Sequence, residues 1–511
     1  MSTITIYITP SFFSIYQTSS FHFLTPITPQ TSLLFSLSFF LIHIKTTTTT
    51  TTKMPPFAGS EPAGFPKPDS NIVSIDVGGQ VFQTTKQTLT SAGPKTFFSR
   101  IAESSGIYTP FIDRDPEMFS LLLSLLRTGN LPSKAKAFDL QDLIIESKFY
   151  GIETLLINSL SNPSQLEPFN LQKSLLLPLN GRDSPSALAA DAACGALHVA
   201  HGSKITSFDW SLRRKATVLT HFTAVDSLLA LSPTLVAAGA NDFSGLQILD
   251  LENGRVRETL NWENVTKSGS TVQAIGASSE NMFVSFESSR RNSNSIMVYD
   301  LHSLTPITEI GHNEIFGADI DSAIPATKLQ WIEGYNLLMA SGSHSGPSGV
   351  SGNIRLWDVR SGNVVWEISE KVDCFADVAV CDPLSVIFKV GVNSGEASYV
   401  DMRNLSTESA WVCLGDKRKV TNNGKKEGIG CKIETQGNQV FCTKGGDVEL
   451  WSEVVMGGGN GGRIFKKNLM GRMRDMGGAK ITNLAFGGST MFLTRKDQQC
   501  VEVWQSSSRE F

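Results

Sequence analysis

Thr109–Leu131 reads TPFIDRDPEMFSLLLSLLRTGNL and predicts a strand, a charged corner and a helix within one short segment. The strand covers Phe111–Asp113. Asp115 is suited to cap the following helix, and Pro116 is suited to its first position. Apolar residues then recur at helical spacing and form one stripe: Met118, Leu121, Leu122 and Leu125. Gly129 can supply the left-handed residue that ends a helix, so we expect the helix to stop there.

The segments on either side of this helix carry two further motifs. Asn71–Thr85 (NIVSIDVGGQVFQTT) alternates apolar and polar residues around Gly78-Gly79, which predicts a hairpin with a two-residue turn. Asp139–Gly151 (DLQDLIIESKFYG) predicts a second capped helix, with one apolar face made by Leu140, Leu143 and Ile144. In order and spacing, the three motifs resemble the BTB/POZ domain of potassium-channel tetramerisation domains and KCTD adaptor proteins.

This resemblance implies an α+β BTB/POZ domain, which we place at residues 71–165, and it implies homo-oligomerisation. For many family members it also implies docking to a cullin-3 scaffold. By resemblance, the corner and the end of its helix contribute to the subunit interface through these residues: Phe111, Asp113, Arg114, Asp115 and Arg127. Some channel-type relatives bind zinc in this domain, but no Cys or His occurs between Met54 and Ala193, so we expect no zinc there.

The first 53 residues contain no Asp, Glu or Arg and end in a threonine run. We interpret residues 1–70 as a disordered, low-complexity extension and Met54 as the functional start. The apolar run Ser32–Ile44 is too short to span a bilayer comfortably, and it lacks the basic region that precedes the apolar part of a signal peptide. A plastid transit peptide remains the alternative, because such segments are rich in Ser and Thr and poor in acidic residues.

The second half repeats one element, a short β-rich run that often ends in Asp. Its copies are ITSFDW (Ile205–Trp210), LQILDL (Leu246–Leu251), IMVYDL (Ile296–Leu301), IRLWDV (Ile354–Val359), ASYVDM (Ala397–Met402), VELWSE (Val448–Glu453) and VEVWQ (Val501–Gln505). Their spacing of about 40–60 residues is typical of propeller blades. Residues 166–511 therefore resemble a WD-repeat β-propeller, predicted to be all-β and seven-bladed, although only Trp357-Asp358 is a complete Trp-Asp pair.

The last copy is followed only by a short polar tail, so its blade lacks an outer strand. An open strand edge invites aggregation. The apolar segment 171–179 (LQKSLLLPL) precedes the first blade and has no other assignment. We predict that it pairs with the last copy and closes the ring.

Composition argues against several classes of function. The formal net charge of −4 disfavours a general binder of nucleic acid or of anionic membranes. The seven cysteines are odd in number and include no C-x-x-C pair, which favours reduced thiols and a cytoplasmic or nuclear location.

The sequence contains no catalytic or cofactor-binding motif in a suitable context, so we expect a non-catalytic protein without cofactor or metal. His198 and His201 lie three apart in a predicted strand and should face opposite sides, which disfavours a shared metal. Gly457–Gly462 is expected to form a hairpin turn. The basic patch in Lys417–Lys426 is interpreted as a solvated loop, with a nuclear import signal or an acidic partner as alternatives.

These expectations combine into one functional hypothesis. The chain is predicted to be the substrate adaptor of a cullin-3 ubiquitin ligase, with the BTB domain for self-association and cullin docking. The propeller would recruit an unknown protein substrate. The alternative is an oligomeric scaffold or signalling adaptor that makes no cullin contact.

Overall fold

The computed structural model describes residues 71–104, 109–161, 166–191, 195–264, 267–314, 324–346, 349–405, 411–415, 427–454, 463–469 and 479–506. The N-terminal extension with Met54, the basic patch 417–426 and the glycine run 457–462 lie outside these residues. Among the helices of the described residues, none is long and apolar enough to cross a bilayer.

The N-terminal domain packs helices against one face of a small sheet with strand order β2-β1-β3. Its strands are β1 (Ile72–Val77), β2 (Gln80–Thr85) and β3 (Phe111–Ile112). Its helices are α1 (Lys86–Thr90), α2 (Phe97–Ser104), α3 (Pro116–Thr128), α4 (Leu140–Tyr150) and α5 (Glu153–Ser161). Strand β1 pairs antiparallel with β2 and parallel with β3, so the hairpin and the corner motif belong to one sheet.

The hairpin turn is built against the charged corner. Gly78 and Gly79 both have positive φ, at 54° and 89°, which confirms the predicted turn. The amide of Gly78 donates to the carbonyl of Ile112 at 2.9 Å. A Cβ at Gly78 would lie 2.6 Å from the carbonyl oxygen of Arg114, so only glycine fits this contact.

Helix α3 is buried more extensively than the predicted stripe implies. Its buried side chains are Phe119, Leu121, Leu122, Leu123, Leu125 and Leu126, whereas Met118 is half-buried. The wider burial arises because the helix is packed on several sides. Phe119 contacts the hairpin through Phe82, with ring centroids 4.9 Å apart, and it also meets Phe98 and Tyr150 of α2 and α4.

The second half of the chain forms four-stranded antiparallel sheets, which we number in chain order. Sheet 1 contains β5 (Pro185–Ala190), β6 (Leu197–His201), β7 (Lys204–Phe208) and β8 (Arg214–Leu219). Sheet 2 contains β9 (Ser227–Ala230), β10 (Leu235–Gly239), β11 (Leu246–Asp250) and β12 (Arg255–Leu260). Sheet 3 contains β13 (Ser270–Ala277), β14 (Asn281–Ser288), β15 (Ser293–Asp300) and β16 (Pro306–Glu314). Sheet 4 contains β17 (Lys328–Ile332), β18 (Leu337–Gly346), β19 (Gly349–Asp358) and β20 (Asn363–Glu370).

The remaining sheets have the same strand order. Sheet 5 contains β21 (Phe375–Cys381), β22 (Val386–Gly391), β23 (Ala397–Asp401) and β24 (Val412–Cys413). Sheet 6 contains β25 (Ile433–Gln436), β26 (Gln439–Lys444), β27 (Asp447–Val454) and β28 (Ile464–Leu469). Sheet 7 contains β29 (Ile481–Gly487), β30 (Thr490–Arg495) and β31 (Cys500–Ser506), with β4 (Leu171–Pro178) as its outer strand.

The described residues thus contain seven such sheets, one for each copy of the repeated element. The first strand of each sheet contacts the first strands of the sheets before and after it, and the first strand of sheet 7 contacts that of sheet 1. These contacts close a ring, which is the arrangement of a β-propeller. Apolar clusters between adjacent sheets fill the space between them.

The recurring aspartate has a structural role at the end of the third strand. In five sheets its carboxylate accepts hydrogen bonds from backbone amides in the turn that follows, at 2.7–3.1 Å: Asp209, Asp250, Asp300, Asp358 and Asp401. Aspartate commonly stabilises turns in this way. The repeat that identifies this half of the chain therefore reflects turn capping.

Strand β4 pairs antiparallel with β31, in the place where the sequence analysis expected the closing strand. The register pairs Leu177 with Val501 and Leu175 with Val503, and it extends to Leu171 beside Ser506. The outer edge of the last sheet is therefore covered by residues from the start of the propeller segment.

A buried ion pair reinforces this closure. The guanidinium of Arg495 lies 3.0 Å from Glu502, and each side chain is 1% exposed. Glu502 also lies 3.2 Å from Lys173 of β4 and accepts from the Trp504 indole at 3.1 Å. Arg495 donates to the carbonyl oxygen of Gly446 at 2.9 Å, which joins sheet 7 to sheet 6.

Candidate functional site

The charged corner of the BTB domain begins helix α3. The Asp115 carboxylate accepts from the amides of Glu117 and Met118 at 2.7 and 2.9 Å, Pro116 is the first helical residue, and Gly129 ends the helix with φ 72°. These contacts confirm the predicted capping residues. They also show that Asp115 has a structural role within its own subunit.

Arg114 is held inside the subunit as well. Its guanidinium lies 3.3 Å from the buried carboxylate of Glu146 and 4.1 Å from the ring centre of Phe149, both on helix α4. Burial raises the pKa of Glu146, and Arg114 offsets only part of this increase. Charge reversal at Arg114 would leave Glu146 facing a like charge, so we expect it to lower folding stability as well as any contribution of Arg114 to assembly.

The other residues assigned to the interface divide into two groups. Arg127 donates to the carbonyl oxygen of Gln83 at 2.7 Å and so ties the end of α3 to strand β2. Asp113 and Phe111 are exposed, and Phe111 is 63% accessible. The geometry therefore brings Arg114, Asp115 and Arg127 into contacts within the subunit and presents Phe111 outward.

Phe111 belongs to an exposed face of the small sheet that also carries Ser74 and Asp76 of β1. We call it the apolar sheet face after its exposed apolar side chains, Phe111, Val81 and Ile72. The register aligns Val81, Asp76 and Phe111 in one row across the three strands. Val81 and Ile72, which lies on the same face of β1, are more than half exposed. Exposed apolar surface of this kind marks a protein contact more often than scattered single residues do.

We expect Asp115→Ala to lower the free energy of unfolding by about 1 kcal/mol, because two amides of the first helical turn lose their acceptor. Asp113→Ala is the matched control, since this exposed carboxylate precedes the cap and should change stability little. Urea denaturation of the full chain measures both. Equal midpoints for the two variants would contradict the capping role.

The BTB domain packs against one end of the propeller. Trp210, in the turn between β7 and β8, packs against the apolar core of the BTB domain. Lys215 lies 3.6 Å from Asp139 at the start of α4, a pair too exposed to add much stability. A Cβ at Gly488, in the turn between β29 and β30, would lie 2.6 Å from the Leu160 carbonyl oxygen.

These contacts all involve one set of turns. In antiparallel sheets, turns between first and second strands and between third and fourth strands share one end, and the other connections share the opposite end. Trp210 and Gly488 belong to the first set, so we call that end the BTB-facing end. We call the opposite end of the propeller, at which each first strand begins, the free end.

The free end carries a charged cluster that spans three sheets. The Lys328 ammonium lies 3.2 Å from the Asp377 carboxylate and 2.8 Å from the Glu434 carboxylate, on sheets 4, 5 and 6. Asp377 also accepts from the backbone amide of Ile433 at 3.0 Å. Each residue stands at or near the start of its first strand, so the cluster links neighbouring sheets around the centre of the ring.

Burial and charge act against each other in this cluster. Burial alone lowers the pKa of Lys328, but attraction by Asp377 and Glu434 outweighs it and leaves the pKa above its ordinary value. Burial raises the pKa of Glu434, and Lys328 offsets part of the increase. Lys328 is therefore a fixed cation that neutralises one of two carboxylates, and the cluster keeps a formal charge of −1.

Neither the charged cluster nor the contact made by Trp210 was predicted from the sequence. Alignment of the repeat copies by strand position would place Lys328, Asp377 and Glu434 at nearby positions of successive copies. No such pattern in the sequence identifies the BTB core as the partner of Trp210. This tryptophan also fits the end of the first repeat copy, where an apolar residue is expected in any case.

The two histidines of the H-x-x-H pattern are buried in sheet 1. His201 contacts the Thr206 hydroxyl at 2.8 Å, whereas His198 lies three residues earlier on β6 and faces the other side. In the described part of the chain, no group of three or more His, Cys, Asp and Glu side chains is arranged to hold a metal ion. Burial also raises the pKa of Cys374 and of Cys381 to about 11, which disfavours their reactive thiolate forms.

Burial lowers the pKa of His198 to about 4. The imidazole of an unfolded chain has a pKa of about 6.5, so between these values the unfolded state binds a proton that the folded state does not. We therefore expect the free energy of unfolding to fall, by up to about 3 kcal/mol from this group, as pH drops from about 6.5 to 4.

Denaturation midpoints between pH 7 and pH 4.5, compared for the wild type and His198→Gln, measure this effect. The variant should lose part of the pH dependence, and replacement of the exposed His302 by Gln should not. Equal slopes for all three proteins would show that His198 does not contribute.

The hairpin, the corner helix and the ESKFYG helix form one α+β domain, and four-stranded sheets in a closed ring follow it. Together they define a BTB/POZ domain protein with a C-terminal β-propeller, which confirms the predicted fold class. The model for the BTB/POZ domain matches residues 73–160, and the model described as At2g24240-like, C-terminal beta propeller matches residues 181–506. The chain belongs to this family of BTB/POZ domain-containing proteins.

Curated relatives agree with this assignment. BTB/POZ domain-containing protein At5g41330 of Arabidopsis thaliana is 63% identical over 86% of this chain and 97% of its own length. BTB/POZ domain-containing protein At4g30940 of the same plant is 24% identical over 85% of this chain and 97% of its own length. BTB/POZ domain-containing protein KCTD9 of Mus musculus is 28% identical over 19% of this chain and 30% of its own length.

Proposed function

We propose that this protein is a non-catalytic, oligomeric adaptor that recruits a partner protein to a cullin-3 ubiquitin ligase. The BTB domain self-associates and contacts the cullin, and the propeller holds the substrate. Ubiquitin transfer then takes place on other subunits, because the adaptor brings the substrate close to them. We place this activity in the cytoplasm or nucleus, where the free thiols of the described cysteines stay reduced.

The observation that carries this proposal is the arrangement of exposed surfaces. Among the described residues, Phe111 and its neighbours on the small sheet are exposed, and a groove opens at the free end of the propeller. The BTB-facing end is occupied by the BTB domain through Trp210 and Gly488. Self-association and recruitment therefore use different surfaces, as an adaptor requires.

Light scattering on the full chain tests self-association. We expect Phe111→Ser to reduce the oligomer mass, because it removes a large apolar side chain from the contact. Val365→Ser is the matched control, since Val365 is 59% exposed on an outer strand of the propeller. If Phe111→Ser folds normally and keeps the wild-type mass, the apolar sheet face is not the interface.

A pull-down of the full chain with purified cullin-3 tests the second part of the proposal. Binding at micromolar concentration supports the ligase adaptor. If the chain forms oligomers but does not bind cullin-3, the second candidate is favoured, an oligomeric scaffold or signalling adaptor. The same surfaces support that candidate, because multivalent display requires only self-association and a free propeller face.

A further inference from the structure

We propose that a polar groove at the free end binds an extended segment of a partner protein, and that a lysine or arginine of this segment pairs with Glu287 and Asp242. This inference rests on the proposed function, since it identifies where and how the propeller recruits its partner. It also states the chemical class of the recognised segment, a polar peptide with a basic side chain.

The groove opens between sheets 2, 3 and 4 and has a volume of about 780 Å³. Its walls come from connections at the free end and from the beginnings of first strands. A smaller cleft of about 260 Å³ adjoins it and shares Thr327 and Ser343 as lining residues. The second cleft continues to Lys328, Asp377 and Glu434, so the two form one depression that extends from sheet 2 toward sheets 6 and 7.

Most residues that line the groove have polar or charged side chains. Ile324 and Pro325 are its only aliphatic lining residues in the described chain. Hydroxyl and amide side chains such as Thr271, Gln273 and Ser343 make up most of the remainder. Such groups can pair with the backbone amides and carbonyls of an extended chain.

The negative charge of the groove is concentrated at the sheet 2–3 side. Glu287 is half-buried at the end of β14, and burial raises the pKa of its carboxyl, an effect that Arg291 and His344 partly offset. Asp242 is exposed in the neighbouring connection of sheet 2. Arg291 also lines the groove, so its two carboxylates and one guanidinium give the lining a formal charge of −1. An incoming ammonium or guanidinium would balance this charge.

The position of the groove suits recruitment by an oligomer. The BTB domain packs against turns at the opposite end of the propeller, so self-association through the apolar sheet face does not use the described residues of the groove. Each copy then presents the same groove, and several weak contacts to one multivalent partner add through avidity.

Display of random linear peptides against the full chain tests this proposal without a known partner. We expect the selected peptides to be polar and enriched in lysine or arginine, with binding that weakens as salt concentration rises. Peptides without a basic residue, or peptides dominated by apolar anchors, would overturn the proposal. Failure to select any binder to a folded, oligomeric chain would overturn it as well.

Variants then locate the site. The double variant Glu287→Gln with Asp242→Asn should bind the selected peptides about 10-fold or more weakly, because it removes the charges and keeps the side-chain size. Glu280→Gln is the matched control, since Glu280 is an exposed carboxylate of sheet 3 at the BTB-facing end. Equal affinity of the double variant and the control would overturn the assignment, provided that all three proteins melt at the same temperature.

The outcome is separable from that of the proposed function. Oligomer mass and cullin-3 binding are measured on the same protein preparations, and neither depends on the groove. A chain that selects basic peptides but ignores cullin-3 supports the groove and contradicts the ligase adaptor. A chain that binds cullin-3 but selects peptides at another surface supports the ligase adaptor and contradicts the groove.

Discussion

Arg495→Met is expected to lower the free energy of unfolding of the propeller by about 3–5 kcal/mol. The substitution leaves Glu502 buried without its closest cation, and it removes the donor to the Gly446 carbonyl oxygen. Lys173 of β4 remains near Glu502 at 3.2 Å, but it is a single cation and cannot replace the contacts to sheet 6. Urea denaturation of the full chain, followed by tryptophan fluorescence, measures the loss.

Arg403→Met is the matched control for this prediction. Arg403 also pairs with a carboxylate, Asp401, but the Arg403 side chain is 59% exposed, and Asp401 keeps a second cation, Arg463, at 3.2 Å. Exposed pairs contribute about 1 kcal/mol or less, so Arg403→Met should change the midpoint little. If the two variants are equally stable, the buried network does not support ring closure.

Removal of strand β4 is expected to prevent the propeller from folding as a soluble monomer. A chain that starts at residue 180 would expose the whole edge of β31, whose partners run from Leu171 to Pro178. It would also lose Lys173 from the environment of Glu502. Unpaired strand edges associate with other chains, so aggregation is the expected outcome.

Size-exclusion chromatography of chains that begin at residue 166 and at residue 180 compares the closed and open rings. The longer chain is the control, because it keeps β4 and, like the shorter chain, lacks the N-terminal extension and the BTB domain. A synthetic peptide with the sequence of residues 166–179 should restore a monomeric peak to the shorter chain. A shorter chain that is monomeric and equally stable without the peptide would show that β4 is dispensable.

The sequence was sufficient to predict the BTB fold because local chemistry specifies each part of it. Asp115, Pro116 and Gly129 identify both ends of helix α3, and the glycine pair identifies the hairpin. The pairing of β4 was also accessible, since one apolar segment lacked a partner and one repeat lacked an outer strand. These inferences need only spacing, propensity and the requirement that strand edges be covered.

Contacts between distant residues could not be predicted in the same way. Arg114 meets Glu146 across 32 positions, and Lys328 meets Glu434 across 106. Each residue taken alone resembles an ordinary surface charge, and nothing in its immediate surroundings specifies a partner. The groove beside Glu287 could not be predicted from the sequence either, because its walls come from three sheets whose connections vary in length and composition.

The pairing of β4 with β31 also bears on how the protein is made. Synthesis places β4 near the beginning of the propeller segment and β31 at its far end, so hydrogen-bonded groups such as Glu167 and Ser506 are separated by 339 positions. Contacts so distant in sequence form slowly, and here they cannot form until the ribosome has finished almost the whole chain. A messenger RNA that lacks the codons for the last repeat would therefore yield a propeller whose ring cannot close. We expect such a product to be bound by chaperones or degraded by proteases.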